Sequence, residues 1–300
     1  MKIILLGCGY LGYNLASLLS QKAETEIIGL PSPYTPLCSN FKEINAFSAK
    51  DLDQVDFEDV VVIDTISLLA NNARSEDEEK TLRGVEEKYE FLLCQLKQRG
   101  ARLFIFMSSG GTVYGNAAEP ICEDAPLHPI TLYARSKTRC EQVIRQSGLP
   151  YLILRLANPY GGHQTTDKKQ GVIPILIEKA LSHEAFEMWA SPHSSRDYIY
   201  IEDFAQAIQL LLDHQIQNEI VNVASQTATS LTEILDEVQE KTGQAIEIRH
   251  VNSEVPVVDQ IVLNIEKLKR LTGFTIQTTI QEGIVKEIKR IKKEQGGIRK

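Results

Sequence analysis

Residues 2–12 read Lys2-Ile3-Ile4-Leu5-Leu6-Gly7-Cys8-Gly9-Tyr10-Leu11-Gly12, a short apolar run that breaks into a glycine turn. The run lacks the polar alternation of a half-wet strand, so it reads as a strand covered on both faces. Helical spacing then sets in from Tyr10 to Gln21. Strand, G-x-G-x-x-G and helix in that order give the motif its weight. Glycine there permits a tight turn, lets the backbone approach a pyrophosphate and lets the helix pack closely, while the helix N-terminus offers unpaired N–H groups to the anion. In this context a dinucleotide site outweighs a merely tight turn. Its candidate residues are Gly7, Gly9, Tyr10, Leu11 and Gly12.

Moving outward, the same rhythm continues. Glu26 to Leu30, Val60 to Asp64, Arg102 to Met107 and Tyr151 to Leu154 read as further buried strands. Ser75 to Arg99 and Leu132 to Gln146 have helical spacing and stop near Gly100 and Gly148. Strands alternating with crossover helices imply an α/β protein with a doubly wound parallel sheet of Rossmann type. From Asn158 to Ser195 the pattern turns irregular, which suits substrate loops and part of a smaller C-terminal α/β substrate domain. The expected division assigns 1–158 and about 196–224 to the dinucleotide domain, and about 159–195 and 225–300 to the substrate domain. A last helix, Thr279 to Gln295, carries Lys289, Arg290, Lys292 and Lys293, read as a solvated end because cations are favoured near a helix C-terminus.

Composition narrows the function classes. With 43% apolar and 24% charged residues among 300, the chain can bury a large core, which excludes a disordered protein. Forty acidic residues against 32 basic ones leave a formal charge of −8, which argues against a general affinity for nucleic acid. No apolar stretch approaches the roughly 20 residues needed to cross a bilayer, so a soluble protein is expected. The five cysteines, Cys8, Cys38, Cys94, Cys122 and Cys140, include no C-x-x-C pair. Neither a metal cage nor a disulfide framework is expected, and a reducing cytoplasm fits.

Two segments carry chemistry. Tyr133-Ala134-Arg135-Ser136-Lys137 opens a helix, and the four-residue step puts Tyr133 and Lys137 on one face about 6 Å apart along the axis. A phenol is a poor base at neutral pH, but an adjacent ammonium favours its ionised form. Ser108-Ser109-Gly110-Gly111-Thr112-Val113-Tyr114-Gly115 stands at the carboxyl end of a predicted strand, where ligands bind in open α/β sheets. Ser109 or Thr112 could hydrogen-bond a substrate hydroxyl while Tyr133 exchanges its proton. Thr65 and Ser108, at strand ends, join the candidate cofactor contacts.

Together with Arg155-Leu156-Ala157-Asn158-Pro159-Tyr160-Gly161, Gly171-Val172-Ile173-Pro174, Arg196-Asp197-Tyr198-Ile199-Tyr200-Ile201-Glu202-Asp203 and Asn222-Val223-Ala224-Ser225, these segments resemble the extended short-chain dehydrogenase/reductase family. The likeness is to its nucleotide-sugar epimerases and dehydratases, typified by UDP-galactose 4-epimerase, and covers nearly the whole chain. It implies bound NAD, with NADP left open, and a nucleotide-sugar substrate. Tyr133 would be the base and Lys137 its activator and a nicotinamide-ribose ligand. Asn158, Val172, Ile173, Trp189 and Arg196 would hold the nucleotide-sugar, Arg196 at its diphosphate. A homodimer is the family's common state.

The chain departs from the family's pattern in four places. The catalytic Ser or Thr falls on Gly110, and the first glycine of the family's turn is Leu6. The acid after the second strand is missing, since that strand ends Gly29-Leu30-Pro31-Ser32. No second diphosphate-binding Arg stands near Asn252 to Pro256. Dehydratases carry an Asp-Glu pair where Gly111 and Thr112 stand, so simple dehydration is not expected. The leading expectation is a nucleotide-sugar 4-epimerase working through a transient 4-keto sugar. The rivals are an NAD(P)H-dependent 4-ketosugar reductase and a catalytically silent dinucleotide sensor or scaffold.

Overall fold

The structure, a computed structural model, describes residues 1–117, 119–164, 171–188, 194–251 and 260–297, the last three by backbone alone. The strands are β1 Lys2–Leu6, β2 Glu24–Gly29, β3 Phe41–Glu43, β4 Val61–Asp64, β5 Leu103–Ser109, β6 Tyr151–Leu156 and β7 Asn158–Tyr160. They continue as β8 Phe186–Met188, β9 Ser195–Tyr200, β10 Glu219–Val223, β11 Ala228–Ser230, β12 Ile248–His250 and β13 Gln260–Ile261. The helices are α1 Tyr10–Leu19, α2 Ala49–Leu52, α3 Glu78–Gln98, α4 Gly110–Val113 and α5 Leu132–Gln146. After them come α6 Val172–Ser182, α7 Ile201–Asp213, α8 Leu231–Thr242, α9 Glu266–Thr272 and α10 Ile280–Gly297.

Seven parallel strands form the main sheet in the order β10-β6-β5-β4-β1-β2-β3. The order reverses at β1 and β4, and the crevice at such a reversal is where a doubly wound sheet binds its ligand. Ile3, Leu5, Val61, Ile63 and Ile105 face one core, while Ile4, Val62, Phe104 and Phe106 face the other, packed with Leu92 and Leu96 of α3 and Ile144 of α5. Both faces are apolar, which is why these strands show no polar alternation.

Element edges differ from the sequence expectation where caps decide them. α3 begins at Glu78, not Ser75, because the Asp77 carboxylate accepts from the Lys80 N–H at 2.9 Å. Strand β9 pairs with β7, β11 and β13 in a second sheet, and β10 joins the main one. A third core, with Ile173, Leu176, Ile177, Ile234, Val238 and Ile284, unites α6, α8 and α10. The basic residues near the chain end are partly paired, Arg290 with Glu287 and Glu294 at 2.9 Å.

Under the carboxyl end of β5 lies a buried polar network. Arg155, 3% exposed, donates to both carboxylate oxygens of Glu141 at 3.1 and 2.8 Å, and to the Tyr114 hydroxyl and the Glu123 carbonyl at 2.8 Å. Ser108 donates to Glu141 at 2.5 Å, and Tyr114 to Asn222 at 2.7 Å. These bonds tie β5, β6, β10 and α5 together beneath the site. Among the described residues no helix is long and apolar enough to cross a membrane.

Candidate active site

A cleft of about 930 Å³ opens over the carboxyl ends of β1, β2 and β4. Its floor is the glycine turn. Gly7 has φ +95°, a conformation that other residues adopt only with strain, and a Cβ on Gly12 would stand 1.9 Å from the Gly7 carbonyl oxygen. A Cβ on Gly9, the N-cap of α1, would meet nothing within 4 Å, so the space above it belongs to the cleft. The first backbone N–H of this helix to find a partner in it is that of Tyr13, on Gly9, so the N–H groups of the first turn are available to an anion. Thr65 shares its hydroxyl between the Leu6 and Gly7 carbonyls at 2.8 and 3.0 Å, so it clamps the turn from β4 while lining the cleft. A dinucleotide fits this cradle. Replacing Gly12 with Ala is expected to cost about 3 kcal/mol through overpacking and to weaken NAD binding, as read by thermal unfolding and calorimetric titration.

The rim at the end of β2 is Leu30, Ser32 and Tyr34, and no described lining residue is acidic. Among the described residues, no acid from elsewhere in the chain takes the place of the one missing after β2. Lys88 is a lining cation, its ammonium 5.6 Å from the centroid of the Phe47 ring. Tyr10 lines the cleft, yet its hydroxyl donates to the Gly161 carbonyl at 2.9 Å. Asn14 makes a parallel strap, donating to the His163 carbonyl and accepting from the His163 N–H. The segment after β7 is thus tied to α1, a coupling between residues about 150 apart that no local pattern announces.

Over β5, and not among the residues that line this cleft, stands the Tyr133–Lys137 pair. Thr131 caps α5 by accepting from the Ala134 N–H at 3.1 Å, which fixes the helix start and so the face that carries both side chains. Lys137 is 6% exposed and donates to the Met107 carbonyl at 2.8 Å. Its ammonium lies 4.6 Å from the centroid of the Phe106 ring and 5.8 Å from that of Tyr133. The Tyr133 hydroxyl has no hydrogen-bond partner among the described residues, and neither has the half-buried Ser109 hydroxyl. Thr112 reaches back to the Ser109 carbonyl at 3.5 Å. Ser108 is turned away, its hydroxyl held by Glu141, so only its backbone is left for a cofactor.

Gly110 has a steric cause that sequence alone does not reveal. A Cβ there would lie 2.3 Å from Leu263 Cδ1 and 2.8 Å from the Arg155 carbonyl oxygen. Leu263, fully buried, fills the place a side chain would need. Gly111 instead opens toward Asn158, whose Nδ2 would be 3.5 Å from an added Cβ.

Asn158 donates to the Asp197 carbonyl at 2.9 Å. Asp197 is 1% exposed, and its carboxylate accepts from the Ser225 N–H and hydroxyl, the Gln226 N–H and the Leu263 N–H. Burial nevertheless pushes its carboxyl up to about 6. Glu202 pairs with Lys286 at 2.8 Å, and Arg196 donates to the Ser194 hydroxyl and the Ser195 carbonyl at 3.0 Å. Val172 and Ile173 open α6 after Gly171, Ile173 buried in the third core and Val172 half-buried, so their backbone N–H groups are the polar atoms on offer. Trp189 and residues 252–256 lie outside the described residues.

Residues 3–224 match the NAD dependent epimerase/dehydratase family. The chain belongs to that family. It is thus an enzyme of the epimerase/dehydratase type, and NAD is the cofactor that membership brings. The chain is 33% identical over 201 residues to an Escherichia coli dTDP-4-dehydro-6-deoxyglucose reductase, a match covering 66% of this chain and 64%, just under two thirds, of that relative. It is 30% identical over 292 residues to a Methanocaldococcus jannaschii protein provisionally named a UDP-glucose 4-epimerase, covering 93% of this chain and 94% of that one. Its fold is similar to that of Thermus thermophilus UDP-glucose 4-epimerase, solved in complex with NAD, with a TM-score of 0.87 and 23% identity over 97% of this chain and 99% of that one.

Proposed function

We propose that the enzyme is a nucleotide-sugar 4-epimerase acting on a UDP-hexose or UDP-N-acetylhexosamine through a transient 4-keto sugar. The observation that carries this reading is the Tyr133 hydroxyl, without a hydrogen-bond partner among the described residues and one helical turn from the Lys137 ammonium. Tyr133, as phenolate, would take the proton of the C4 hydroxyl and later return it. Lys137 favours that phenolate by its charge, and its bond to the Met107 carbonyl fixes where the charge stands. Bound NAD supplies reversible hydride acceptance at C4, so that no coenzyme is consumed over a cycle.

Arg196, Asn158 and the first N–H groups of α6 would hold the nucleotide and diphosphate, leaving the sugar free to turn and present its other face. Gly111, where an eliminating enzyme would carry an acid, leaves no carboxylate for dehydration. With glycine at position 110, the hydrogen bond to the reacting oxygen falls to Ser109. Ser109→Ala is expected to lower kcat by about 10- to 100-fold, while Thr112→Val stays within about threefold of wild type. Steady-state kinetics of the two variants check this.

The test is conversion of UDP-glucose to UDP-galactose, or of their N-acetyl forms, by the purified protein without added coenzyme. A second reading, a 4-ketosugar reductase, is favoured by the 33% identical relative and by the cleft rim without an acid. Stoichiometric loss of NAD(P)H absorbance with a 4-keto sugar, and no isomer exchange, would select it.

A further inference from the structure

Asp64, the last residue of β4, is 1% exposed. Its carboxylate accepts from the Tyr89 hydroxyl at 2.6 Å and from the Ile66 N–H at 2.9 Å. In the sheet it stands opposite Phe106 of β5. The same ring carries the Lys137 ammonium at 4.6 Å, and Tyr89 packs edge-on against it, centroids 5.5 Å apart and planes at 84°. The carboxylate and the ammonium therefore stand near one another around Phe106, in an apolar pocket between β4, β5, α3 and α5. Burying a carboxylate so completely is costly, and a cation in the same site offsets part of that cost.

We propose that Asp64, held by Tyr89, is a positioning residue of the catalytic pair, a buried counter-charge for Lys137 that sets the pH range in which Tyr133 acts. The proposal rests on the reading of Tyr133 as the base. An anion in this pocket offsets part of the field that the Lys137 ammonium exerts on the phenol. Asp64 thus decides how much of the Lys137 charge Tyr133 feels. Burial pushes the Asp64 carboxyl up, and Lys137 is the strongest influence holding it down.

The other groups around this pocket are accounted for. From α5 come Tyr133, Lys137 and Cys140, whose thiol is pushed up to about 12 by burial and stays neutral. Glu141 is paired with Arg155. From α3 come Tyr89, whose phenol burial pushes well up, and Glu86, which pairs with Arg139. The neighbours in register on β1 and β5, Leu6 and Phe106, are apolar.

The test is Asp64→Asn, which keeps the shape and can still accept from Tyr89. In holoenzyme the acid limb of the kcat/KM profile is expected to move down by about half to one pH unit. Difference absorbance of ionised phenol, taken against the Tyr133→Phe protein without substrate, should show Tyr133 titrating lower by the same amount. Tyr89→Phe, which removes a donor to the carboxylate and so favours its neutral form, should move both in the same direction by less. A purely structural Asp64 would change the melting temperature and leave both pH curves in place. Superimposable curves for Asp64→Asn and wild type would overturn the proposal. The phenol titration needs no turnover, so it decides the role of Asp64 even where the assigned reaction fails.

Discussion

Tyr133→Phe is expected to lower kcat by about three orders of magnitude, within the range for removal of a general base. The variant keeps the ring and loses one oxygen that has no partner among the described residues, so nothing else should change. Lys137 stays anchored on the Met107 carbonyl, and α5 keeps its Thr131 cap. NAD content and melting temperature should therefore match wild type. Steady-state rates, cofactor content after denaturation and thermal unfolding of the same preparation separate loss of the base from loss of the fold.

The largest expected effect on stability comes from Glu141. With side chains 4% exposed on both sides, Glu141 and Arg155 form an ion pair shut away from water. Glu141→Leu leaves the guanidinium buried without its carboxylate, which should cost about 3–5 kcal/mol and lower Tm on the order of 10 °C. Ser108 would lose its acceptor at the same time. The pair also joins the helix of Tyr133 to β6, so activity should fall at temperatures where the variant is still folded. Adding Arg155→Leu to Glu141→Leu should recover part of the loss, because the stranded charge is then gone. Urea and thermal unfolding of the single and double variants measure both effects.

Much of this arrangement was legible in the sequence because it depends on local order. The glycine turn is recognisable since strand, turn and helix are contiguous, and the Tyr133–Lys137 spacing places two side chains on one face whatever the rest of the chain does. Five buried strands could be read as parts of a doubly wound sheet because their apolarity has no period of two, whereas β3 and β10, which complete the seven, carried no such signal. What escaped was set by contacts distant in sequence. Gly110 stands where the family carries its catalytic Ser or Thr, and the crowding of that position by Leu263 and the Arg155 carbonyl has no trace in the local sequence. Thr65 looked like a ligand contact and also proves to clamp the turn. Asp64 drew no attention as the polar end of a strand, since its partners Tyr89 and Lys137 come from two different helices. The start of α3 was misplaced by a few residues because Asp77, not Ser75, supplies the cap.

The measurement closest to the central claim follows deuterium at C4. UDP-glucose labelled there should yield UDP-galactose that keeps its deuterium at C4 in ordinary water, because that hydrogen would leave and return as hydride, which does not exchange with solvent, while Tyr133 handles only the hydroxyl proton. Wash-out of the label into solvent during isomer exchange would contradict the account.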